Sequence, residues 1–292
     1  MSYVNKLEKY IQPPKWLKDN LIFEGLTGSQ AYGITGSSSD WDINGICIPP
    51  KGIIFPHTQG YIPGFGTSPP SFDVFQQHHI KHNTREYDLT IYSIVKFFQL
   101  AMENNPNIIE LLFLPRSCVL FSTPLYEHIR EHRHMFLHKG AYHKLRGYSY
   151  SQMSKIRNKT NSSNPKRQQL IQDHGYDTKF AAHCVRLMLQ CEQILTQGTL
   201  DLQRNSEHLK AIRRGEFTLD HIVEWFNSKE LELEKIYNSS QILPYSPREN
   251  EIKNLLLECL EMHYQDLSDA ITITTTAEQI LTDLKNLMVK YQ

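Results

Sequence analysis

Leu21-Ile-Phe-Glu-Gly-Leu-Thr27 runs directly into Gly28-Ser29-Gln-Ala-Tyr32-Gly33, and Asp40-Trp-Asp42-Ile-Asn-Gly-Ile-Cys-Ile48-Pro-Pro50 follows shortly after. The first segment is an apolar run of strand length stopped by turn residues. The second alternates and ends at two prolines, which cannot donate to a sheet ladder. Together they predict two strands of one sheet joined through a glycine turn. Successive strand side chains alternate faces, so Asp40 and Asp42 project from the same side. Two bare carboxylates that close repel unless a cation lies between them. Hard oxygen donors at this spacing suit Mg²⁺, with Mn²⁺ as the alternative, completed by phosphates and water. Gly28 lets the backbone approach a phosphate closely, and free N–H groups at a helix start attract anions.

Further along, Tyr87-Asp88-Leu-Thr-Ile-Tyr92 predicts a third strand. Asp88 is then the third carboxylate expected for a second metal, and Glu86, two residues back on the same face, is its substitute. Spacing alone also fits a plainer picture: Asp40 as a turn residue after Ser37-Ser-Ser39, Asp42 as a solvated strand position, Gly28 as an ordinary turn glycine. The order strand, Gly-Ser turn, Asp-x-Asp strand and later strand Asp is what points to nucleotide–Mg²⁺ chemistry. Neither a GxxxxGK[ST] loop nor, near this strand, a GxGxxG fingerprint is present.

Lys51 to Ser71, with four prolines and four glycines, reads as a long irregular insertion. Ser93 through Glu103 predicts an amphipathic helix with Val95, Phe98 and Met102 on one stripe, closed by Asn104-Asn-Pro106. Beyond Pro115 the pattern is helical, over roughly 124–137, 140–157, 178–197, 206–214, 218–236, 248–268 and 277–290. The last is opened by the capping box Thr275-x-x-Glu278. The expected fold class is α+β: a small mixed-sheet domain over 1–125 followed by a larger all-helical domain over 126–292.

The chain has 292 residues, with 31 Lys+Arg against 31 Asp+Glu and 40% hydrophobic residues. Those figures suit a globular protein with a sizeable core and exclude a uniformly basic coat. Five dispersed cysteines without a CxxC pair argue against a disulfide framework or zinc ribbon and for a reducing, cytoplasmic setting. No export signal and no membrane-length apolar stretch is evident. Charge is nevertheless segregated. From Arg133 to Arg167 there are nine cations and no acidic residue, whereas Glu216 to Asp269 holds twelve acidic residues against four cations. Either the two segments are solvated faces that pair in part, or the basic one binds a polyanion. Fourteen histidines include the i, i+4 pairs His128/His132 and His134/His138, which without an HExxH motif read as a polar helix face or as phosphate contacts rather than a zinc site.

Gly28-Ser-Gln-Ala-Tyr-Gly33 followed by Ser39-Asp-Trp-Asp-Ile-Asn-Gly-Ile46 resembles the core motif of the DNA polymerase β superfamily of nucleotidyltransferases. The closer resemblance is to a nucleotidyltransferase family associated with RNA-repair gene clusters in phages and bacteria. It extends to Asp88-Leu-Thr-Ile-Tyr-x-x-x-Lys-Phe97, Asn105-Pro-x-x-Ile-Glu-Leu-Leu-Phe113 and Gly175-Tyr-Asp-Thr-Lys-Phe-Ala-Ala-His-Cys-Val-Arg-Leu187, so it runs from about Gly25 to Gly215. The insertion and the acidic C-terminal helices are not covered. The resemblance implies a polymerase β-like catalytic domain in which Asp40, Asp42 and Asp88 bind two Mg²⁺ ions. Gly28 and Ser29 would hold the β- and γ-phosphates of an NTP, with Tyr32 and Ser39 as further nucleotide contacts.

In the helix opened by Asp177-Thr178, Lys179, His183, Arg186 and Gln190 follow i, i+4, i+7, i+11 and form a polar stripe beside Phe180, Cys184, Leu187 and Cys191. Pattern alone makes this a solvated face. The resemblance makes it a source of cations for the triphosphate, with Lys179, Arg186 and His183 as nucleotide contacts. Tyr142, Tyr148 and Tyr150 alternate with Lys144, Arg146 and Lys155, a mixture that suits stacking on single-stranded nucleic acid or plain inward packing. On the first reading Lys144, Arg146, Lys155, Arg157 and Lys159 contact RNA. The expected activity is Mg²⁺-dependent transfer of NMP from an NTP to an RNA end. A protein or small-molecule acceptor, or a non-catalytic RNA-binding module, are the alternatives.

Overall fold

The computed structural model describes residues 2–35, 40–64, 66, 71–158, 164–266 and 284. In chain order, with short 3-10 turns between them, the elements are α1 (Tyr3–Lys6), β1 (Leu21–Leu26), β2 (Trp41–Cys47), α2 (Lys51–Ile54), β3 (Val74–His82), β4 (Arg85–Ser93), α3 (Ile94–Met102), α4 (Pro106–Leu112), β5 (Val119–Ser122), α5 (Pro124–Glu131), α6 (Ala141–Asn158), α7 (Pro165–His174), α8 (Thr178–Gln197), α9 (Ser206–Arg213), α10 (Leu219–Ser239) and α11 (Glu249–Tyr264). The fold is α+β, a five-stranded mixed sheet followed by helices. No helix among the described residues is long and apolar enough to cross a membrane.

The sheet order is β3-β4-β2-β1-β5. β2 and β4 are parallel, while β1 with β2, β1 with β5 and β3 with β4 are antiparallel. The apolar run of β1 is buried at every position, as a strand covered on both faces requires. On one face Phe23 stacks on Tyr126 of α5, with ring centroids 3.8 Å apart. On the other, Glu24 accepts the Tyr3 and Val4 N–H groups at 2.6 and 2.8 Å, satisfying the open donors of α1.

The three expected strands are present. β3 and β5 were not legible, because β3 is an edge strand with a polar, mostly exposed sequence and β5 is four half-buried residues. A two-residue turn joins β3 to β4, and Asn83 supplies its left-handed φ of 54°. Asn104-Asn-Pro106 both ends α3 and starts α4, for Asn105 caps the next helix at the Asn107 N–H and Pro106 sits in its first turn. The inward stripe of α3 is Ile94, Phe97, Phe98 and Ala101, and Val95 faces outward. α5 stops at Glu131, and α11 at Tyr264. Apart from residue 284, the helix expected over 277–290 and its capping box lie outside the described residues.

α8 is the axis of the helical part, packed by α6, α7, α9 and α10 and capped by Asp177, whose Oδ1 accepts the Lys179 and Phe180 N–H groups. α11 returns to pack on α3 and α5, and the Tyr264 hydroxyl donates to the Pro49 carbonyl. Buried apolar residues form one cluster from Val4 to Leu260.

Burial raises the Glu24 carboxyl to about 7, against 4.5 for an exposed glutamate. A folded pKa above the unfolded one means the associated stability is fully present below about 4.5 and is lost as pH rises through about 7. The shift corresponds to about 3 kcal/mol at most. Urea unfolding of Glu24→Gln should therefore lack the decline between pH 5 and 7.5 that the parent chain shows.

Candidate active site

Parallel pairing of β2 with β4 sets Asp42 directly opposite Asp88. In-register partners on neighbouring strands project from one face at roughly 5 Å spacing, so residues 46 apart in the chain become a carboxylate pair. Asp42 is held above the ordinary carboxylate range, first by burial and then by the Asp88 charge, with Asp40 adding to it. Lys179 and His78 pull in the opposite direction, which places the first residues of α8 within electrostatic reach of the pair. Asp40 lies just before β2 and is exposed. Among the described residues no three acidic, histidine or cysteine side chains are gathered into a ready metal cage. A carboxylate pair nevertheless suits Mg²⁺, which is ordinarily held by one or two carboxylates with phosphates and water completing the shell.

The glycine turn is built against this pair. Thr27 N–H donates to the Asp42 carbonyl at 2.8 Å, and Gly28 takes a φ of 60°. A Cβ at Gly28 would fall on the Asp42 carboxylate. Tyr32 N–H bonds the Gly28 carbonyl at 3.3 Å and Ile34 N–H the Ser29 carbonyl at 3.0 Å, closing the turn at left-handed Gly33. Ser29 is half-buried on it. Ser39 lies outside the described residues.

A feature that sequence reading missed supports Asp88. The register of β3 slips between Gln77 and Ile80, so His78 and His79 form a bulge. His79 adopts φ 57° and its N–H donates to Asp88 Oδ1 at 2.8 Å, while His78 Nδ1 stands 3.5 Å from Asp88 Oδ2. Glu86, the substitute third carboxylate, instead pairs with the His79 ring. The only signal in the sequence was the His-His dipeptide, which carries no indication of a bulge.

Around His183 of α8, three helices contribute cations. His183 is pushed down to about 3 by burial and then by Arg186, Lys155, Arg167 and Lys179, so it is a neutral imidazole among positive charges. Lys155 of α6 and Arg167 of α7 flank the Phe180 ring at 5.5 and 3.9 Å, and Arg167 also pairs with Asp177 at 2.8 Å. Arg167 was missed because α7 has almost no apolar periodicity. Arg186 is turned inward: it is buried, ion-paired with Glu110 and 4.0 Å from the Tyr32 ring. The polar stripe of α8 is therefore only partly a solvated face.

The expected RNA contacts separate. Lys144 pairs with Glu103 at 3.0 Å, and Arg146 donates from Nε to Glu230 at 2.9 Å, joining the basic and acidic segments. Lys155 belongs to the group around His183, Arg157 is exposed, and Lys159 lies outside the described residues. Tyr142 stacks inward on Tyr237 at 4.6 Å, whereas Tyr148 and Tyr150 are exposed. His128 and His134 bond Glu258 and the Gly198 carbonyl, as a polar surface would, whereas His138 is buried and bonds the Met102 carbonyl, so its pair with His134 is not a polar face.

No curated protein matches the chain. Among solved structures, a nucleotidyltransferase-like protein from Exiguobacterium sibiricum aligns over 93% of this chain and 86% of its own at 9% identity, with a TM-score of 0.28. The model of the RNA repair pathway DNA polymerase beta family matches residues 4–270, a span that includes the glycine turn, the Asp42–Asp88 pair and α8. Since that span takes in nearly the whole chain, the protein belongs to the RNA repair pathway DNA polymerase β family and is a nucleotidyltransferase.

Proposed function

We propose that the chain transfers NMP from an NTP to a hydroxyl at an RNA end and releases pyrophosphate. The observation that carries this reading is the register of β2 against β4, which pairs Asp42 with Asp88 beside Gly28 and within the field of Lys179. The acceptor oxygen attacks the α-phosphorus, an O–P bond forms as the bond to the β-phosphate breaks, and the hydroxyl proton passes to Asp88. Gly28 and Ser29 meet the β- and γ-phosphates through backbone N–H groups, Lys179 offsets their charge, and neutral His183 offers a hydrogen bond without adding charge. Asp42 and Asp88, joined by Asp40, would hold two Mg²⁺ or Mn²⁺ ions, which when bound polarise the acceptor hydroxyl and neutralise the departing pyrophosphate.

Lys144 and Arg146 are engaged by Glu103 and Glu230, which thins the expected RNA-facing charge and favours a second reading with a protein or small-molecule acceptor. Incubation with each α-labelled NTP, Mg²⁺ and RNAs of defined ends tests both. Label on RNA supports the first reading, label only on other acceptors supports the second, and no label on any acceptor refutes the proposed transfer.

A further inference from the structure

Glu110 of α4, Arg186 and Gln190 of α8, and Tyr32 of the glycine turn form a closed polar group in the interior, with relative exposures of 4, 6, 3 and 8%. Glu110 Oε1 accepts from Arg186 Nη1 and from Gln190 Nε2, the latter at 2.9 Å, and Oε2 accepts the Tyr32 hydroxyl at 2.5 Å. Arg186 Nη1 also donates to Gln190 Oε1 at 3.2 Å, and its guanidinium carbon lies 4.0 Å from the centre of the Tyr32 ring. Both carboxylate oxygens are engaged, and one face of the guanidinium is covered by the ring. Lys179, by contrast, is exposed and makes no ion pair among the described residues.

Glu110 matches the Arg186 charge and accepts from its Nη1, and the Tyr32 ring covers one face, so the guanidinium is anchored in the interior rather than held out toward solvent. What the pair does hold is Tyr32, whose own N–H closes the turn on Gly28, the residue packed against Asp42. We infer that Arg186 and Glu110 are positioning residues: their buried pair clamps Tyr32, and so fixes the Gly28–Gly33 turn to α8 in the place where it meets nucleotide phosphates. The last clause rests on the proposed nucleotide reading. The clamp itself does not.

Removing one partner of a buried pair strands the other charge, whereas replacing the whole group by apolar residues of similar size is commonly tolerated. The test compares Arg186→Met with the apolar variant Tyr32→Phe/Glu110→Leu/Arg186→Met/Gln190→Leu, which replaces all four members of the group. Two quantities are read: hydrogen exchange at the Tyr32 and Ile34 amides, and affinity for a non-hydrolysable ATP analogue with Mg²⁺. Arg186→Met should speed exchange at these amides at least tenfold and weaken the analogue at least tenfold, and the apolar variant should return both to within threefold of the parent chain. Exchange restored without affinity would overturn the inference and make Arg186 a direct phosphate contact, as would unchanged exchange in Arg186→Met.

If the apolar variant does not fold, Tyr32→Phe decides alone. It keeps the ion pair and removes one hydroxyl bond, so exchange in the turn should rise at least threefold with the melting midpoint kept, and unchanged exchange overturns the clamp. A parent chain that binds no nucleotide refutes the proposed function while the exchange readout still decides the clamp.

Discussion

Asp42→Asn should lower nucleotidyl transfer at least about 10³-fold, equivalent to about 4 kcal/mol of transition-state stabilisation, while the folded chain survives. The two effects separate because of where Asp42 stands. It faces Asp88 across two parallel strands, and its carboxyl is disfavoured in the charged form by burial and by the neighbouring carboxylates. Asparagine keeps the shape and removes the repulsion, so without divalent ions the variant should melt at or above the parent temperature. Mg²⁺ should raise the melting temperature of the parent chain and leave that of the variant nearly unchanged. Labelled transfer assays and thermal melts with and without Mg²⁺ check both halves. A variant that transfers normally would remove Asp42 from the reaction, and one that simply unfolds would make its role structural.

That pair shows what local sequence can and cannot convey. The apolar run of β1, the alternation of β2 and the turn glycines are local signals, and they correctly set Asp42 and Asp88 on strands. Which strands become neighbours, and in what register, is settled by long-range packing, so the opposition of Asp42 and Asp88 was an inference from type and order alone. β3 shows the converse. Its Gln-Gln-His-His segment lies at the exposed sheet edge, where no burial demand shapes the sequence, yet its bulge delivers the N–H that supports Asp88. Helical spacing likewise put Lys179, His183, Arg186 and Gln190 on one face without saying what covers it. Glu110, 76 residues away, covers Arg186, and no periodicity could reveal that. The same holds for the charge segments, where Arg146 and Glu230 are 84 residues apart.

Gly28→Ala is the second substitution with a large expected effect, and Gly33→Ala is its control. Both glycines sit at left-handed φ, 60° and 67°, so alanine at either costs about 1 kcal/mol in backbone conformation. Their surroundings differ. At Gly33 an added Cβ would lie 3.7 Å from Ser206 Cβ, an ordinary contact, whereas at Gly28 it overlaps the Asp42 carboxylate. Relief requires either Asp42 to rotate away from Asp88 or the turn to lift from β2, and either movement separates the N–H groups proposed to bind phosphate from the carboxylates proposed to act on the same nucleotide. Displacements of this size cost about 10²-fold in rate. Gly28→Ala should therefore lose at least about 10²-fold in transfer, while Gly33→Ala loses less than about tenfold at a comparable melting temperature. Steady-state rates and melts on the two variants distinguish the causes, because equal losses would trace the defect to the backbone strain they share rather than to the contact with Asp42.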